Sequence, residues 1–164
     1  CIRDSTTAIM NGTINSKTPQ YWENYITAFS NTKMIIMKDC PGSCDDEANL
    51  EAARAVKLQN LAIHLPADAE IASGAVDFFL AGNVRTREAG RKIGVHSWAE
   101  AIKTATDYEV GHEKHQPYID YYIDMGFSQA DAEAFYYFTI NAAPASDIHW
   151  MTDEEIEQYG LLTP

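Results

Sequence analysis

The sequence predicts an α/β fold with a mostly parallel sheet, followed by additional helices. Three observations lead there. First, Met34–Met37 and Leu61–Leu65 are short, nearly continuous apolar runs, the pattern of strands buried on both faces. Second, segments of helical period stand between such runs, so strand and helix alternate from Met34 to Val95, which implies parallel strands joined by right-handed crossovers. Third, 164 residues with 46% apolar side chains fit a single domain able to bury a core without disulfide or metal staples.

The elements follow in order. Ala8–Ile14 reads as a strand broken by the turn dipeptide Asn11-Gly12. Thr18-Pro19 opens a helix whose apolar positions Tyr21, Trp22, Tyr25, Ile26 and Phe29 keep the helical period. After the strand Met34–Met37 comes the turn Asp39 to Cys44, then a helix from Asp45 to about Leu58, with Ala48, Ala52, Ala55 and Val56 facing inward. A second buried strand ends at Leu65. Ile71–Ala81 reads as an apolar helix starting near Ser73 and stopped by Gly82, and Lys92–His96 as a third strand. Ser97-Trp98-Ala99-Glu100 has the form of a capping box and predicts a helix there. Pro117–Met125 and Ser128–Ala142 read as helices parted by Gly126, and Thr152 caps a last helix ending at Gly160.

With 12 basic and 24 acidic residues, the chain carries a formal charge of −12. That balance disfavours nucleic acid and anionic lipid as partners, since both are held by Lys and Arg. No apolar run is long enough to cross a membrane. The first residue is Cys1, either an arbitrary start or the lipid-bearing terminus of a mature bacterial lipoprotein; the second reading expects a membrane tether through Cys1 and the periplasm or cell envelope, with cytoplasm as the alternative. Cys40 and Cys44 flank Pro-Gly-Ser and are read either as a small disulfide loop or as two thiols in a tight turn. His112-Glu113-Lys114-His115 lacks the spacing of a zinc-protease motif and is expected as a solvated loop; no metal and no cofactor are expected. Tyr121, Tyr122, Phe135, Tyr136, Tyr137 and Phe138 are expected as core or subunit interface.

Ser73 stands where a helix begins, among the small residues Ala72, Gly74 and Ala75. Amides at a helix start favour a developing oxyanion, so Ser73 is either a helix cap or a nucleophile beside an oxyanion site. His96, at the end of a strand, is a core imidazole or a general base. Asp147, in the loop 144–149, is the nearest candidate for a carboxylate that orients the imidazole. Asp77, one turn into the Ser73 helix, reads as structural, paired with Arg85, Arg87 or Arg91.

Taken together these segments resemble the Clp protease/crotonase superfamily, in particular its small bacterial Clp-like hydrolases. Asp39-Cys40-Pro41-Gly42-Ser43 resembles the oxyanion turn, Ile71 to Gly82 the nucleophile helix, Gly94-Val95-His96 the base-bearing strand, and Trp150 to Leu161 the closing helix. The likeness covers residues 8–100 and 144–162. It implies a ββα spiral core over 8–100, a helical insertion or oligomerisation region over 101–143, and a closing loop and helix over 144–164. It further implies Ser73 as nucleophile, His96 as base, the amides of Gly42 and Gly74 as oxyanion hole, and a homo-oligomer acting on a peptide or small ester. Two positions depart from the pattern: the turn holds one glycine where the family usually has two, and Pro144 stands where its acid would be. The alternatives are a noncatalytic binding or scaffold module and a crotonase-type acyl-CoA enzyme; the acidic charge disfavours the latter, which holds nucleotide phosphates.

Overall fold

The computed structural model describes residues 6–164; Cys1, the expected site of lipid attachment, lies outside them. The chain divides into two compact units, residues 6–93 with Leu161–Pro164, and Gly94–Gly160.

The first unit repeats a strand–strand–helix motif. β1 (Thr7–Met10) is followed by a single parallel bridge from Ile14 to Ser43 and then α1 (Thr18–Ala28). β2 (Met34–Met37) and β3 (Asp39–Cys40) lead into α2 (Asp46–Leu58). β4 (Ala62–Leu65) and β5 (Glu70–Ala72) lead into α3 (Gly74–Leu80). β6 (Val84–Arg87) and β7 (Lys92–Val95) begin the last turn of this spiral. The first strands of each repeat pair in parallel in the order β1-β2-β4-β6, with Ile35 opposite both Ala8 and Ile63. The second strands lie in another layer, where β3 and β5 are parallel and Cys40 is opposite Ile71. The α/β fold with a mostly parallel sheet expected from the sequence is therefore present.

The core explains why these residues take these forms. Ile35, Met37, Ile63 and Leu65 are at most 1% exposed on the strands, and Phe78, Phe79 and Leu80 are equally buried on α3. Each such side chain contributes roughly 1.5–3 kcal/mol on burial. On α2 the Asp45 side chain accepts the Ala48 amide at 3.0 Å, while Asp46 and Glu47 meet the positive end of the helix dipole. The Arg85 guanidinium closes the far end of α3, donating to the carbonyls of Leu161 (2.6 Å), Gly82 (3.1 Å) and Leu80 (3.4 Å).

The second unit holds a short hairpin, β8 (Ala99–Glu100) and β9 (Lys103–Thr104), then α4 (Gln116–Asp124), α5 (Gln129–Ala142), β10 (His149–Trp150) and α6 (Asp153–Gln158). The expected helix at Ser97 is absent. The Ser97 hydroxyl donates to the Trp98 carbonyl instead of accepting an amide, and the chain turns back through Ala101 at φ +51°. Tyr121, Tyr122, Phe135 and Tyr136 are 0–3% exposed and form the interior between α4 and α5. His115 is also buried, at 1% exposure, which corrects the expectation of a solvated loop. It accepts from the Tyr136 hydroxyl at 2.7 Å and donates to the Glu109 carbonyl at 3.1 Å. The Trp98 indole N–H donates to the same Tyr136 oxygen at 3.0 Å. Burial pushes the Tyr136 phenol up to about 12, so it stays protonated and serves as the donor to His115.

Candidate active site

Ser73 joins β5 to α3 with φ +54° and ψ −133°. A non-glycine residue in such a region costs roughly 1–3 kcal/mol and persists only where its flanks are fixed. Both flanks are fixed here. Ile71 is paired with Cys40 in the ladder, and Gly74 starts a helix anchored by Phe78, Phe79 and Leu80. A serine acting only as a cap takes extended backbone and accepts an amide two or three residues on. Ser73 does neither, so the structure removes the cap reading.

Gly42 lies against this elbow. It stands at φ +138°, and a Cβ there would come within 3.1 Å of Ser73 Cβ and 3.6 Å of Ser73 Oγ. Two bonds hold the turn: the Ile14 amide donates to the Gly42 carbonyl and the Cys44 amide to the Ile14 carbonyl, each at 2.9 Å. Gly74 is packed as closely, since a Cβ there would come within 2.8 Å of Ser43 Cβ and 2.9 Å of Asn49 Nδ2. The place of a second turn glycine is thus taken by Ser43, and Gly74 supplies the room. The Ser43 hydroxyl, the atom nearest to where a Gly74 Cβ would stand, donates to the Asp46 carboxylate. Ser73, Gly42 and Gly74 are therefore brought together, with the first amides of α3 uncapped by any N-cap side chain.

His96 and Asp147 belong to the Gly94–Gly160 unit. His96 is half-buried, and its Nδ1 lies 2.7 Å from the Ser97 carbonyl. A carbonyl only accepts, so Nδ1 carries a proton, and the neutral form of the ring then has its lone pair on Nε2, the tautomer a general base needs. The Ser97 amide is itself tied to the Ala143 carbonyl at 2.9 Å. Asp147 is not brought to the imidazole. It is exposed, and its carboxylate accepts the Ile148 amide at 2.8 Å while its own amide bonds Pro144. The orienting acceptor of His96 is a main-chain carbonyl, which residue type cannot reveal.

Cys40 and Cys44 are free thiols that point to different acceptors, the Met10 carbonyl at 3.7 Å and the Ile14 carbonyl at 3.5 Å. Burial pushes the Cys40 thiol up to about 11. Among the described residues, no group of three or more His, Cys, Asp or Glu converges as a metal site would require, and no helix is long and apolar enough to cross a membrane.

Solved structures match this architecture. A ClpP1 variant from Listeria monocytogenes aligns with a TM-score of 0.63 at 15% identity, covering 97% of this chain and 90% of its own. The membrane protease 1510-N from Pyrococcus horikoshii, specific for a stomatin homolog, aligns at 0.59 and 20% identity, covering 96% of this chain and 71% of its own. A mutant of the membrane-bound stomatin-specific protease 1510-N aligns at 0.61 and 19% identity, with 96% and 76% covered. The fold is that of the Clp-type proteases. The repeated ββα spiral of the first unit is the part of that fold that carries the Ser73 elbow. No protein-family model matches the sequence, nor does any curated protein. Sequence reasoning missed Asn49 and the Ser97 carbonyl. The first had a signal: a polar side chain beside Ala48, Ala52 and Ala53 on the inward face of α2.

Proposed function

We propose that the protein is a serine peptidase, with small esters as a second substrate class. The observation that carries this reading is the strained backbone of Ser73, with Gly42 packed against it. Ser73 Oγ attacks the substrate carbonyl and His96 Nε2 takes its proton. The amides of Gly42 and Gly74 donate to the oxyanion that forms. Collapse of the tetrahedral species breaks the carbon–nitrogen bond, and the protonated imidazole returns the proton to the leaving amine. Water then repeats the sequence on the acyl-enzyme and releases the acid. The Ser97 carbonyl, rather than Asp147, holds the imidazole in its working tautomer. Support for peptide over ester comes from the neighbours of like fold, which are proteases, one of them solved with a substrate peptide.

The test is hydrolysis of a fluorogenic peptide and ester panel by the native chain, Ser73→Ala and His96→Ala. Cleavage lost in both variants is expected; cleavage unchanged in Ser73→Ala overturns the reading. One observation favours a second reading, a noncatalytic binding module of the same fold: the Asp147 carboxylate is engaged in its own loop rather than with His96. That reading expects no cleavage of any panel member by folded protein.

A further inference from the structure

We infer that Asn49 is a positioning residue that sets the orientation of the Gly74 amide, and that the fold keeps it there at a cost in stability. The inference rests on the peptidase reading above and deepens it. Asn49 projects from α2 and is 1% exposed. Its Nδ2 donates to the Gly74 carbonyl at 2.8 Å. Only the amide nitrogen can donate to a carbonyl, so this bond fixes which end of the side chain faces Gly74. The other end, Oδ1, is buried with no hydrogen-bond partner among the described residues. An unpaired buried acceptor is destabilising, and an apolar side chain of the same size would remove that cost. What Asn49 offers against that cost is its one bond, to the Gly74 carbonyl.

Gly74 shows what the use is. Its carbonyl is held by Asn49, and its Cα is pressed between Ser43 and the Asn49 amide, so a Cβ would fall within 2.9 Å of either. As a glycine, Gly74 has a freer backbone than a residue with a side chain, at a place where a peptide plane must be fixed. The Gly74 N–H lies in the Ser73–Gly74 peptide plane, whose Ser73 carbonyl accepts the Val76 amide at 2.8 Å; the Asn49 bond holds the adjoining Gly74–Ala75 plane, so both planes that meet at the Gly74 α-carbon are fixed and the N–H is aimed between them. That N–H adjoins Ser73 and is the helix-start donor proposed to hold the oxyanion. Asn49 touches neither substrate nor Ser73 Oγ in this mechanism; it acts through Gly74.

The test compares the native chain with Asn49→Leu, which keeps the branched shape and removes both polar atoms, and with Asn49→Ala. Three quantities are read: melting temperature, the rate of capture by a fluorophosphonate, and the amide resonance of Gly74. For Asn49→Leu the expected result is a melting temperature equal to or above the native one, a capture rate about tenfold lower with an unchanged pH profile, and a displaced, broadened Gly74 signal. For Asn49→Ala the Gly74 signal and capture rate change in the same way. A structural role alone gives the opposite split, a lower melting temperature with capture rate and Gly74 signal unmoved, and overturns the inference. If the native chain is never captured, the peptidase reading falls, and the Gly74 resonance decides the clamp on its own.

Discussion

At Ser73 the main chain accepts strain that a cap would not need. Ser73→Gly would relax that strain, whereas Gly42→Ala adds a Cβ within 3.1 Å of the serine at a φ that L residues rarely adopt. Gly42→Ala is expected to slow fluorophosphonate capture by on the order of 10²-fold, the typical effect of losing one oxyanion donor. Capture at the native rate would show that Gly42 does not serve the site. The two described thiols make a second residue-scale test. The buried, raised Cys40 thiol is expected to resist maleimide under native conditions, while exposed Cys44 reacts within minutes, as read by peptide mapping. Equal labelling of both would contradict the burial of Cys40. Neither the φ of Ser73 nor the acceptor of His96 was legible in the sequence, because both are backbone properties that side-chain type does not report.

Among the elements, Arg85 shows how much a polar strand can hide. Val84-Arg85-Thr86-Arg87 alternates in a way the sequence reading passed over, because its buried position carries a guanidinium instead of an aliphatic chain. β5 was passed over for a related reason: it ends one residue before α3, so Ile71–Ala81 reads as one apolar helix. The strands Met34–Met37 and Ala62–Leu65 were legible since apolar runs of that length have few other outcomes. Arg85→Ala strips donors from three carbonyls and is expected to cost roughly 2–5 kcal/mol in a denaturant titration, as breaking buried charged hydrogen bonds does. A loss within about 0.5 kcal/mol, typical of surface changes, would contradict that role. In α6, Glu155 accepts from His149 at 2.8 Å and from the Thr152 amide at 2.9 Å. Burial acts to raise its carboxyl, and these bonds with the His149 charge outweigh that and hold it below the usual range. Its folded value is lowered, so its stabilisation is present above the ordinary carboxylate range and lost as pH falls through it. Glu155→Gln is expected to flatten the acid limb of a melting-temperature profile between about pH 5 and 3; an unchanged limb would contradict this.

For the whole molecule, the α/β class could be read from the alternation of apolar runs and helical periods, whereas the spiral of ββα repeats was implied by the resemblance to the Clp protease/crotonase superfamily. The hairpin Ala99–Thr104 could not, since its Ser97 start mimics a capping box. The same Gly94–Gly160 unit leaves Ile102 96% and Val110 81% exposed. We propose self-association through this region. At a charge of −12 the copies repel one another, so association is expected to rise with salt as screening shortens the field. Light scattering is expected to report an oligomer at 0.15 M salt, shifted toward monomer by Ile102→Ser with Val110→Ser; a native monomer at every salt concentration would refute it.

The central claim is that Ser73 is an activated nucleophile. Intact-mass measurement after incubation with a fluorophosphonate tests it most directly, on the native chain and on Ser73→Ala. One adduct on the native chain and none on the variant is the expected result. No adduct on folded native protein, or an adduct that survives Ser73→Ala, would contradict the claim.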